Sequence, residues 1–141
     1  MAVVVHLVLL TAIQFSIGFE LSQQLFVVFL FVILIHIVGF AILFGAWVAE
    51  AVGRRIRVTP LMNYALLLSL VTGLALSAPW GLDHDLNYAK IGIKLVVLLV
   101  IGALLGIGSA RQKRTGSLSP AIFWPIGILA LLNAGLAVIW H

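Results

Sequence analysis

Two ionisable side chains stand inside long apolar stretches of the sequence, His36 and Lys94. Chemistry performed at that depth has to use them. A neutral imidazole offers one donor and one acceptor, and its bare nitrogen can ligate a metal or a haem iron. A lysine ammonium is a compact cation with three donors. Each also has a plainer reading: His36 as a packing residue whose two nitrogens both find hydrogen-bond partners, and Lys94 as a snorkelling residue that runs its stem towards Asp83 or Asp85. Counted at helical rise from the start of its stretch, His36 lies about 17 Å deep and Lys94 about 7.5 Å. That difference, roughly 9 Å, excludes one metal ion held by both side chains and leaves open a large ring touching both.

Little else in the chain has a chemical pattern. Asp83, His84 and Asp85 form a small acidic cluster, but three adjacent loop residues rarely converge on one ion. There is no cysteine, so thiolate metal sites, disulfides and thiol catalysis are excluded. The sequence has no phosphate-binding glycine loop, no HExxH and no nucleophile elbow. No catalytic residue is assigned, no metal site is expected, and the chain reads as a non-enzyme. Glu50 and Arg54 are spaced as a helix-end ion pair at i, i+4. A track of charges such as a transporter or channel requires is missing.

The elements that must position these residues are membrane helices. The chain has 141 residues, 64% of them hydrophobic and 9% charged, with mean hydropathy +1.28. A water-soluble domain has no such balance. Residues 25–52 carry only His36 and Glu50 as ionisable groups, and a bilayer core of roughly 30 Å needs about 20 apolar residues. Three further spans are predicted over 60–78, 89–110 and 120–140. Residues 2–19 read as an N-terminal membrane-embedded helix, with an interfacial helix or an upstream extension of the gene start as the alternatives. That segment has neither the basic leader nor the cleavage site of a signal peptide. The polar run 20–24, ELSQQ, reads as a break between it and the long helix.

Thr59–Pro60 and Ser119–Pro120 each combine an N-cap with proline in the first turn. Pro79–Trp80–Gly81 and the terminal Trp140 supply helix stops and interface anchors. Pro125 falls where it loosens the first turns of the last helix. The fold class is therefore all-α: one polytopic up-and-down bundle forming a single membrane domain, four spans plus the N-terminal helix.

Six of the eight Lys and Arg residues lie in the two loops 53–59 and 111–119, and three of the four acids lie on the other side. The positive-inside rule places both basic loops in the cytoplasm and the loop 79–88 and the C-terminus outside a plasma membrane. The net charge of +4 reports orientation rather than nucleic-acid affinity. Helices in lipid associate through small residues that let backbones approach. Gly39, Gly102, Gly106 and Ala110 are the predicted packing or partner-interface positions, and Thr72 and Asn133 are expected to make interhelical hydrogen bonds. On the long helix, His36, Gly39, Phe40, Leu43, Trp47 and Glu50 share one stripe, with Gly39 leaving room beside the imidazole.

The stretches HIVGFAILFGAWVAE, TPLMNYALLLSLVTGLAL and YAKIGIKLVVLLV, followed by a closing helix from Asn133 to Trp140, resemble small four-helix actinobacterial integral membrane proteins. One such family is an association factor of the cytochrome bc1–aa3 respiratory supercomplex. The pattern covers residues 25–141. A looser similarity runs to the copper-resistance-D and membrane protoporphyrinogen-oxidase families, whose haem-binding pair would fall on His36 and Lys94. The first resemblance implies a non-catalytic accessory subunit, without a cofactor, docked on a larger membrane complex or self-associated in the bilayer. The second implies a haem-handling membrane protein or oxidoreductase.

Overall fold

The structure, a computed structural model, describes residues 2–78 and 88–139. It is all-helical among those residues, in the order α1 (Ala2–Val52), α2 (Pro60–Leu76), α3 (Tyr88–Thr115) and α4 (Pro120–Ile139). Three stretches are long and apolar enough to cross a membrane, Val5–Val52, Tyr88–Thr115 and Pro120–Ile139, while α2 is apolar but shorter, at 17 residues. Sequence neighbours pack together and α4 returns to α1, so the helices close a four-membered ring without diagonal contacts among the described residues.

The polar run 20–24 does not break the chain. α1 is one helix of 51 residues, about 77 Å long. Glutamate, leucine and glutamine all sustain a helix, and no proline or glycine interrupts the run. Residues 5–24 are exposed throughout, whereas the buried positions of α1 begin farther along, at Gly39, Leu43 and Glu50.

α1 ends in a Schellman motif: Arg55 N–H donates to the Glu50 carbonyl at 2.8 Å and Arg54 N–H to the Ala51 carbonyl at 3.1 Å. Arg54, not Gly53, takes the left-handed position, with φ 52°. Its side chain is thereby turned out of the helical register, and the expected Glu50–Arg54 pair does not form. Arg57 instead forks onto the buried Glu50 carboxylate at 2.7 and 3.0 Å, and Arg55 adds an ion contact at 3.4 Å. The hydrogen bond to Glu50 holds the Arg57 guanidinium above its ordinary pKa. Gln112 closes the same end: its amide accepts from Val58 N–H at 2.9 Å and donates to the Val58 carbonyl at 3.2 Å. The irregular backbone after α1 is thus satisfied by side chains.

Both expected helix starts form. The Thr59 hydroxyl caps α2 by accepting from Met62 N–H, with Pro60 at the first position, and Ser119 accepts from Ala121 N–H at 3.3 Å at the head of α4. α4 continues through Pro125. The core lies between α1 and α4 and across α2 and α3, with Leu43, Met62, Ile101, Leu105, Phe123 and Ile126 fully enclosed. Trp47 stacks on Phe44 and Phe123 with centroids 5.7 Å apart, and its indole N–H donates to the Phe123 carbonyl at 2.9 Å.

Glycine matters where helices touch. A Cβ on Gly127 would run into the Trp47 indole, and one on Gly102 would meet Leu66 at 3.2 Å; nothing lies within 4 Å of Gly106. Gly106 and Ala110 are both exposed, so this stretch of the small-residue stripe faces away from the ring. Gly127→Ala is expected to destabilise the detergent-solubilised protein by about 1–3 kcal/mol, through forced movement of Trp47. Gly106→Ala is expected to stay within about 0.5 kcal/mol of the parent. Thermal midpoints of the two variants check this pair.

Candidate functional site

His36 is half-buried on α1 and faces α2. Its Nδ1 lies 2.9 Å from the Ser69 carbonyl oxygen and 3.1 Å from the Thr72 hydroxyl. A carbonyl can only accept, so Nδ1 carries the proton. The Thr72 hydroxyl donates its own proton to the Leu68 carbonyl at 2.7 Å, which leaves its lone pair for the imidazole. In the neutral ring Nε2 is therefore bare, and it has no hydrogen-bond partner among the described residues. A backbone carbonyl on Nδ1–H is the arrangement that orients a histidine whose other nitrogen serves as a ligand or base.

The room for this imidazole is made by α2, not by Gly39. A Cβ on Gly73 would stand 3.1 Å from His36 Cε1. Gly39 does the complementary job one turn along: a Cβ there would sit 2.6 Å from Ser69 Oγ and 3.2 Å from the Ser69 backbone nitrogen. The Val-Thr-Gly motif thus combines an acceptor for the histidine with a notch for its ring. Sequence reasoning marked Thr72 but missed Ser69 and the role of Gly73. The spacing of four residues between Ser69 and Gly73 was the available signal, since it puts both on one face of α2.

At the end of the ring opposite the two basic loops lies a cleft of about 450 Å³ lined by all four helices. His36 and Lys94 both line it, together with Lys90, Ser77 and Asn133. The depth count from the sequence separated His36 from Lys94 because it treated 25 and 89 as level. α1 is already helical well before residue 25, and counting turns from that point does not measure its height against α3. Asn133 makes no interhelical bond: its Oδ1 is buried and unpartnered, a state that costs about 1–3 kcal/mol unless something donates to it. Leucines supply most of the remaining wall.

A second cavity, about 440 Å³, sits at the opposite end beside Arg111, Arg114, Thr115, Ser117 and Ser119. Its Thr115 hydroxyl is committed to the Arg111 carbonyl at 3.0 Å. The acidic cluster of Asp83, His84 and Asp85, the Pro79–Trp80–Gly81 stop, and Trp140 lie outside the described residues. No cluster of three or more His, Cys, Asp or Glu side chains occurs among the described residues.

Comparison with protein-family models, with curated proteins and with solved structures finds no match. The function has therefore to be argued from the geometry of the cleft and the helices around it. The hydrogen bonding of His36 makes one direct prediction. Nitrogen-15 spectra of histidine-labelled protein at a pH where the ring is neutral should show an unprotonated Nε2 and a protonated Nδ1 for His36. A protonated Nε2 in that state would contradict the donor role assigned to Nδ1.

Proposed function

We propose that the chain is a non-catalytic accessory integral membrane subunit that docks on a larger membrane complex. The supporting observation is the uncovered first half of α1. Residues 5–24 are exposed along their whole length, with Phe15 and Ile17 at 78% and 62%. A helix of about 77 Å cannot lie along one axis inside an apolar layer of roughly 30 Å. Its N-terminal half needs a cover of its own: a separate passage through the bilayer, reached by bending near Glu20–Gln24, or the apolar surface of a partner. The exposed small residues Gly106 and Ala110 offer a further face on which another helix can approach closely.

The sequence resemblance points to the actinobacterial respiratory chain, the cytochrome bc1–aa3 supercomplex, as the partner, in a plasma membrane with the basic loops in the cytoplasm. Four spans then run through the bundle.

A second reading is favoured by one observation: His36, whose Nε2 has no hydrogen-bond partner among the described residues, lines the same cleft as Lys94. It makes the chain a haem-binding membrane protein. His36 would hold the iron and Lys94 would lie against the same ring. The bound haem would supply redox chemistry.

One preparation separates the two. Tagged protein extracted from native membranes in mild detergent is expected to bring a multi-subunit membrane complex with it, and a chain lacking residues 2–24 is expected to lose that complex. Recovery of the full-length chain alone, or only as a self-associated oligomer, refutes docking on a larger complex. The haem reading instead requires an absorption band at about 400–430 nm that disappears in His36→Ala.

A further inference from the structure

We propose that the four-helix cleft binds a single-chain anionic amphiphile, with its oxyacid head at Lys94 and its tail along the leucine wall. The cleft has the make-up of a lipid-like site. Its volume, about 450 Å³, lies within the range of small-molecule pockets. One part of the wall is apolar, built from Leu70, Leu74, Leu95 and Leu98. The other gathers cations and polar groups: Lys90 and Lys94 line it from one face of α3, four residues apart.

No carboxylate lines the cleft among the described residues. Lys94 makes no ion pair there either, because the described acid in ion contact, Glu50, is engaged by Arg55 and Arg57 at the far end of the ring. The Lys94 charge next to an apolar wall is costly without a counter-charge. An anionic head entering from the membrane supplies one, and its tail covers leucines.

The head is an oxyacid because its oxygens can accept from the Lys94 ammonium. Carboxylic acids and phosphate monoesters share that property.

The test uses full-length protein in nanodiscs of neutral phosphatidylcholine. Oleate, oleoyl lysophosphatidic acid and the uncharged oleyl alcohol are each titrated while the thermal midpoint is followed. Oleate, the lysophospholipid or both are expected to raise the midpoint saturably, and oleyl alcohol is not; the stronger of the two acids tells whether a carboxylate or a phosphate is the head. Lys94→Met should weaken binding of that acid by about tenfold or more, while Lys94→Arg, which keeps the charge, should restore most of it. Arg111→Ala with Arg114→Ala, at the other end of the ring, should leave it unchanged. The proposal is overturned if the alcohol stabilises as well as the acids, if Lys94→Met binds like the parent, or if the arginine pair abolishes the effect. A haem band in the purified protein that survives saturating oleate would also overturn it, since haem and the tail need the same space.

Discussion

The close approach of α1 to α2 is the constraint on which the rest of the molecule depends. Lipid offers helices no hydrophobic reason to associate, so contact has to come from surfaces that fit. Two glycines make the fit, one from each helix: Gly39 lies against Ser69 and Gly73 against the His36 ring. Between them the imidazole donates across the interface to the Ser69 carbonyl. Ser69 and Thr72 are both buried, so this polar contact lies where exchange with water does not weaken it. Once α1 and α2 are locked at this level, α4 is placed against α1 by Trp47 and Gly127, and α3 completes the ring.

The membrane character, the helix starts and the buried stripe of α1 were legible in the sequence because each depends on local composition. Thr59–Pro60 and Ser119–Pro120 cap their helices through hydroxyls close along the chain. Gly39 and Leu43 are buried on the stripe that their periodicity defines, whereas Glu50, expected in a helix-end pair at the surface, is buried as well. The unreadable parts were those decided by other helices. Which arginine meets Glu50 depends on the left-handed turn at Arg54, and a non-glycine residue in that position has no reliable local signature. The ELSQQ run is polar enough to suggest a boundary yet consists of residues that do not stop a helix. Polarity and helix termination are separate properties, and a segment lacking glycine and proline can show the first without the second.

Asn133 and His36 illustrate the same limit at the site. Both read as polar residues seeking an interhelical partner. His36 finds one because α2 presents a carbonyl and a hydroxyl one turn from a glycine. Asn133 finds none: its Oδ1 is enclosed without a donor. No property of the sequence around position 133 distinguishes these outcomes, which depend on what the neighbouring helices present.

The two ends of the ring are built to opposite specifications, and this asymmetry bears most directly on function. At the end with the basic loops, the buried carboxylate and the loop backbone are answered internally: Arg57 forks onto Glu50, Gln112 pairs twice with Val58, and the aromatic stack of Phe44, Trp47 and Phe123 fills the space between α1 and α4. At the other end His36, Lys94 and Asn133 line one cleft, and neither the Lys94 ammonium nor the His36 Nε2 has a partner among the described residues. A fold selected only for packing would favour leucine at such positions, because each unmet polar group costs more than an apolar replacement of similar shape. An unpaired lysine and an unbonded imidazole nitrogen on residues of one cavity make a binding role the more economical explanation, whether the chain works alone or as a subunit of something larger.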